Sequence, residues 1–268
     1  MSQIVRILKA FRTPRTARAY LRDKYYKYYI ILNNFVRPPN SNGAVAPSGL
    51  PALNEIRQRA RVGTDVSDHL VNMFVEALGA QPSLIVELGV RGGESSFVFE
   101  RVARLCNSRL VSVDIEDCAD VANGGSAVFV RSDDVEFAGR FGKWCAERGI
   151  DPRIDLLFID TSHLHGHTVD EINYWFPLLS THATVLLHDT NLREVYRRKN
   201  GSMGRGWDND RGVIRALEKY FDTRFDETQD FLDFKNGWLI KHYHTCNGFT
   251  ILRRVLPGQA GGEHGLSG

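Results

Sequence analysis

The sequence predicts an α/β fold of the doubly wound, mostly parallel kind. Three observations carry that reading. A strand, a glycine turn and a helix follow one another over residues 84–105, later short apolar runs each stop at an acid, and helical patterns separate them. In the first unit Leu84-Ile85-Val86-Glu87-Leu88 is too short for a helix and ends at Gly89-Val90-Arg91-Gly92-Gly93. Beyond the turn Phe97, Val98, Val102 and Leu105 recur at helical spacing. The glycines let the backbone take positive φ and let a ligand come close. The helix then points its free N–H groups back at that ligand.

The spacing Glu87-x-Gly89-x-x-x-Gly93 departs from the G-x-G-x-x-G of dinucleotide binders. A carboxylate ahead of the turn repels a pyrophosphate and suits a ligand with positive charge or N–H donors. S-adenosylmethionine, with its α-amino group and sulfonium, answers that description. Taken by itself, the stretch also reads as an ordinary glycine-rich βα turn.

Upstream, residues 1–37 set nine lysines and arginines, from Arg6 to Arg37, against one acid, Asp23. Tyr20, Leu21, Tyr25, Tyr28 and Tyr29 lie among them at partly helical spacing, and Pro14 interrupts the pattern. Such an arm packs on a partner subunit, or lies on an anionic membrane or polyanion. Residues 36–43 read as a linker. Val66, Leu70, Phe74, Val75 and Leu78 describe one helix face, with Asp65 or Ser67 as its cap.

Downstream, Arg109–Asp114 is a second strand, and Asp114 stands where doubly wound folds place the acid that accepts from ribose hydroxyls. Asp117 is the alternative, past the strand end. Strand 127–130 precedes Asp133, which reads either as an adenine contact or as a helix cap. Helix 137–147 leads to strand 154–160, ending at Asp160, and then to His163, His165 and His167. Helix 169–179 and strand 183–189 follow, the latter ending at His188-Asp189. Asp160 and Asp189 therefore end neighbouring strands, where two carboxylates can share a hard divalent cation such as Mg²⁺. Residues 193–212 read as a polar, arginine-rich mobile loop suited to an anionic or sugar-like molecule. Helix 213–221 and strands 237–241 and 248–252 close the sheet, and 257–268 is a glycine-rich tail predicted to be disordered.

Bulk properties exclude several classes. With 268 residues, 43% apolar content and a net charge of +2, the chain has material for a full core and no global pull towards nucleic acid. Cys106, Cys118, Cys145 and Cys246 form no C-x-x-C pair, which argues against a zinc site or disulfide framework and for a cytoplasmic protein. No run is long enough for a membrane span or signal peptide. The domain organisation expected is an arm and linker over 1–50, one domain over 51–256, and the tail.

Residues from about 65 to 254 resemble the class I S-adenosylmethionine-dependent methyltransferases. Within that class the resemblance is to the cephalosporin-hydroxylase-like and macrolide-sugar or rhamnosyl O-methyltransferase group. The motifs that carry it are Val86–Ser95, Ser112-Val113-Asp114, Phe158–His163, Leu187–Asn191 and Asn247–Leu252. The resemblance implies a seven-stranded sheet with an antiparallel last pair. It implies S-adenosylmethionine over Glu87, Gly89, Arg91, Gly93 and Ser95, with Asp114, Asp133 and Asp160 completing the donor site. Related enzymes hold Mg²⁺ with acids at the ends of the fourth and fifth strands, and Asp160 and Asp189 match those positions. A second acid or amide often stands beside the fifth-strand acid; here His188, Thr190 and Asn191 surround it, leaving His188 as the third metal candidate.

The reaction so implied is methyl transfer to a hydroxyl of a small molecule or glycan, with Mg²⁺ lowering the acceptor pKa and His163 as general base beside Asp160. His163 also reads as a capping residue, and His165 and His167 as solvent-facing loop histidines. Three alternatives remain: a non-catalytic protein that binds the donor, a nicotinamide-dependent oxidoreductase on the same fold, and a nucleic-acid methyltransferase. The second is opposed by Glu87, the third by Asp160-Thr161-Ser162-His163 standing where an N/D-P-P-Y motif belongs. The partners expected are a small-molecule or glycan acceptor, no nucleic acid, and a second copy of the chain; the arm alone admits a peripheral membrane location.

Overall fold

The computed structural model describes residues 13–38, 46–122 and 127–255. The first twelve residues of the arm, most of the linker and the tail lie outside the described residues. After Thr13, whose hydroxyl caps Thr16 N–H, helix α1 runs Pro14–Val36. Helices α2 (Pro51–Arg59) and α3 (Leu70–Ala80) lead to strand β1 (Leu84–Leu88). Then come α4 (Glu94–Cys106), β2 (Arg109–Asp114), the short α5 (Ala119–Ala122) and β3 (Ala127–Arg131). Next follow α6 (Asp134–Ala146), β4 (Ile154–Ile159), α7 (His165–Trp175) and β5 (Leu179–His188). The hairpin β6 (Val195–Arg197) and β7 (Met203–Arg205), α8 (Gly212–Phe221), β8 (Phe231–Lys235), β9 (Trp238–Tyr243) and β10 (Phe249–Arg254) complete the described chain.

The main sheet has the order β3-β2-β1-β4-β5-β10-β9-β8, with β1 to β5 parallel and the last three strands paired antiparallel. Its central strands β1 and β4 are buried along their whole length, on both faces. Phe137, Phe141, Trp175, Leu217 and Phe221 pack on one side, and Ile56, Leu70, Phe74, Phe99 and Phe249 on the other. That two-sided burial explains why the central strands read as unbroken apolar runs.

Four expectations change. The main sheet has eight strands where seven were expected, because Phe231–Lys235 adds an edge strand whose exposed residues hide its pattern. Residues 193–212 contain the hairpin β6–β7 instead of a structureless loop, and its arginines are engaged within the fold. Arg198, for example, donates to the carbonyls of Gly63 and Thr64. Neither Asp65 nor Ser67 caps α3: a 3-10 turn at Ser67–His69 precedes it, and Asp65 pairs with Arg91 instead. Helix α7 starts at His165, so His165 and His167 are helical and half-buried.

The chain leaves β1 for β2 on one side and returns to β4 on the other, which makes the C-terminal end of β1 the switch point of the sheet. Here the two strand ends lock together. Gly89 N–H donates to Val113 O, Asp160 N–H donates to Leu88 O, and both bonds are 2.9 Å. Gly89 has φ +86°, and a Cβ on it would stand 2.0 Å from the Asp160 carbonyl oxygen. Gly92 faces open space and has no positive φ. Thermal and urea unfolding should therefore separate the two: Gly89→Ala loses about 3 kcal/mol or fails to fold, whereas Gly92→Ala stays within about 0.5 kcal/mol of wild type.

Candidate active site

Three non-glycine residues at this edge hold left-handed backbone: Arg91 (φ 45°), His163 (φ 59°) and Asp189 (φ 55°). Each such residue costs on the order of 1–3 kcal/mol and persists only where the surroundings enforce it, a condition that clusters at functional sites. Parallel pairing sets Ile159 beside Leu187, so Asp160 and His188 follow side by side and Asp189 lies one residue further.

The side chains converge accordingly. His163 Nε2 lies 2.9 Å from Asp160 Oδ1 and 2.9 Å from Asp189 Oδ2. His188 Nδ1 faces the same carboxylates at 3.3 and 3.4 Å. Burial would push both histidines down, but the two acids outweigh it and hold His163 at about 10 and His188 at about 9. For Asp160 the imidazoliums prevail over burial and keep the carboxyl well below its usual range. Two carboxylates and two imidazoliums thus balance one another in a site that water barely reaches.

The sequence offers His163 as a general base; here it is clamped between two acids, which hold its pKa up. For the metal, His163 stands as a candidate beside His188. Ligand atoms of Asp160, His163 and Asp189 all lie within 4.8 Å of one another, while His188 stands outside that group and flanks it. These residues fit a divalent cation in chemistry as well as position. Both carboxylates and an imidazole nitrogen are ordinary ligands, and the buried Asp189 Oδ1 accepts no hydrogen bond.

On the donor side, Asp114 Oδ2 accepts from Val90 N–H (2.8 Å) and Arg91 N–H (3.2 Å), and Oδ1 from Glu116 N–H (2.9 Å). The carboxylate shapes the glycine turn and keeps one acceptor position on Oδ1. Arg91 extends beside the acid cluster and pairs with Asp65 at 3.1 Å. Glu87 and Ser95 do not line this edge. Glu87 is fully buried under the turn, where it accepts from Ser96 Oγ (3.0 and 2.9 Å) and Ser112 Oγ (2.6 Å), and Ser95 also bonds it. Burial pushes Glu87 up to about 7 even against those hydroxyls. Its role is to pin β1, β2 and the start of α4 together, because Glu87 and Ser112 are register partners.

Asp133 caps α6, accepting from Glu136 N–H at 2.9 Å, the second of its two expected roles. Its neighbour Asp134 faces His167 Nε2 at 2.9 Å, and the two join Glu171 in a second buried group. Burial and then the charge of Asp134 push Glu171 up to about 8, so Glu171 keeps its proton beside Asp134. The Asp134 hydrogen bond raises His167 to about 9. Thr161 Oγ1 donates to Glu171 at 2.5 Å and ties this group to the residue after Asp160.

The opposite wall was not foreseen in the sequence. Asn209 Nδ2 donates to the carbonyls of His163 and Asp189, both at 3.4 Å, and the ring of Trp207 lies 5.8 Å from that of His163. Gly212 is required there, because its Cβ would meet His163 O at 2.2 Å. Arg211 anchors the segment on the buried acids Glu218 and Glu227, each at 2.8 Å. A polar cleft of about 310 Å³ opens beyond β5, lined by Thr190, Asn191, Asp208 and Asp210 among others.

Residues 86–190, from β1 to the residue after Asp189, match the family model of a methyltransferase domain. No curated protein sequence matches the chain. Among solved structures, cofactor-bound Rv0187 from MTB is 15% identical, with a TM-score of 0.50 over 79% of this chain and 92% of that one. The O-methyltransferase TomG from Streptomyces achromogenes is 14% identical, with a TM-score of 0.48 over 86% and 98%. MycE, from the mycinamycin biosynthetic pathway, is 20% identical, with a TM-score of 0.49 over 80% of this chain and 57% of that one. These likenesses bear on the fold alone.

The buried Glu87 has a measurable consequence. An acid whose pKa rises on folding binds its proton more tightly in the native state, so its contribution to stability is full below about 4.5 and is lost as pH rises to about 7. Glu87→Gln removes that titration. Urea unfolding of both proteins at pH 5 and pH 8 should show the variant gaining about 2–3 kcal/mol on wild type between the two. Parallel pH profiles would mean that Glu87 stays ionised.

Proposed function

Residues 86–190 being a methyltransferase domain, we propose that the chain transfers a methyl group from S-adenosylmethionine to a hydroxyl of a small polyhydroxylated molecule or glycan, with a divalent cation at Asp160 and Asp189. The observation that carries this reading is the pair of strand-end acids, set beside the glycine turn and ringed by left-handed backbone.

The chain's own groups divide the work. Gly89 lets the turn close on the end of β4 and Gly93 lets it pack on Val121, and the first N–H groups of α4, which have no partner within the helix, are left to a ligand. Asp114 Oδ1 accepts from a ribose hydroxyl. The donor supplies a methyl carbon that leaves the sulfonium sulfur, the bonding pair staying on sulfur, and joins the acceptor oxygen. Asp160, Asp189 and an imidazole nitrogen would hold a cation, which would supply the Lewis acidity that lowers the hydroxyl pKa. With the cation in place of the histidine protons, the two acids would no longer hold His163 and His188 protonated, and whichever imidazole does not ligate the cation would take the hydroxyl proton. Trp207 and the polar cleft beyond β5 bound the acceptor side.

Calorimetric titration with S-adenosylhomocysteine should give micromolar binding that Asp114→Ala weakens about 10–100-fold. A separate Mg²⁺ or Mn²⁺ heat should vanish in Asp189→Asn while S-adenosylhomocysteine affinity holds. Absence of S-adenosylhomocysteine binding by the wild type would sink the donor assignment; absence of the metal heat would sink the metal alone.

A further inference from the structure

Among the described residues, helix α1 is docked on one side and bare on the other. Asn34 exchanges two hydrogen bonds with the Met203 backbone (3.2 and 2.8 Å), Tyr26 Oη donates to Glu194 (3.1 Å), and Arg22 pairs with Glu194 at 3.0 Å. These contacts fix the inner face on the β6–β7 hairpin. The outer face presents Leu21, Tyr25, Tyr28, Leu32 and Phe35, each 56–83% exposed. Their spacings alternate four, three, four, three, which is the seam of a helix that pairs with another helix.

We infer that this face joins two copies of the chain, their α1 helices running antiparallel about a twofold axis at Tyr28. That register puts Leu21 against Phe35, Tyr25 against Leu32, and Tyr28 against its twin. The apolar stripe, widened by Tyr29 and Val36, presents on the order of 800 Å² per copy, the share of one partner in a standard interface.

Charge selects the antiparallel arrangement. Arg18 continues the seam one heptad before Tyr25, and α1 has no basic residue in its last turn and no acid in its first. Antiparallel pairing sets Arg18 beside the partner's C-terminal carbonyls, where a cation is favoured; parallel pairing sets Arg18 against Arg18. The same charges favour a protein partner over a lipid surface. From Tyr28 to Val36 the helix carries no cation, and Arg22 is engaged by Glu194. Because the inner face of α1 rests on the hairpin, a paired α1 braces the segment that leads into the wall of the active site.

The full chain in sedimentation velocity at micromolar concentration should run as a dimer. Leu32→Glu should run as a monomer that keeps its S-adenosylhomocysteine binding, or its circular dichroism if the donor assignment fails. Variants that add one cysteine to the four native ones, with wild type as the control for cross-linking through Cys106, then fix the geometry. Tyr28→Cys should cross-link to itself on mild oxidation, and Leu21→Cys should cross-link to Phe35→Cys in a mixture but not to itself. A monomeric wild type, a Leu32→Glu dimer, or self-cross-linking of Leu21→Cys overturns the proposal. So does a wild-type monomer that sediments with phosphatidylserine vesicles, which would assign the face to a membrane.

Discussion

The close approach of Gly89 to the backbone of Asp160 is the constraint on which the rest of the site depends. A side chain at Gly89 would collide with a carbonyl, so the turn after β1 and the end of β4 can lie together only because that position has none. The hydrogen bond from Asp160 N–H to Leu88 O holds the junction, and register does the rest. Once Asp160 is placed, parallel pairing of β4 with β5 brings His188 level with it and Asp189 one residue beyond. The separation of the two acids is a property of the sheet and not of a flexible loop.

Bringing those carboxylates together is unfavourable unless their charge is balanced, and the chain balances it with histidine. His163 sits between Asp160 and Asp189, with His188 behind them, so a buried quartet of ionised groups is close to neutral. The same device recurs one strand away, where His167 faces Asp134 and Glu171 keeps its proton. In both groups a histidine does in the ligand-free protein what a cation or a proton does elsewhere, which explains how so acidic an edge folds with few water contacts.

Much of this was legible from residue order. The five parallel strands, the glycine turn and the strand-end acids Asp114, Asp160 and Asp189 stand where the patterns put them, because backbone alternation and turn chemistry are local. The surroundings of Glu87, Ser95 and His163 were not. Glu87 looks like a ligand contact in the sequence, yet the pleat turns it beneath the sheet edge, where Ser96 and Ser112 satisfy it. The one available hint was a serine on a buried strand at the same register. Strand β8 and the hairpin β6–β7 were missed because exposed or very short strands carry little periodicity.

The sequence by itself determined the class of fold, the switch point and the identity of the acids at the strand ends, since each follows from neighbours a few residues apart. Only the tertiary structure decided which of those groups meet. Asn209 and Trp207 reach His163 from more than forty residues away in the chain, and Arg211 closes the wall by finding Glu218 and Glu227. Protonation was decided there too. Approaching acids raise His163 and burial raises Glu171, and both shifts depend on distances that no local pattern encodes.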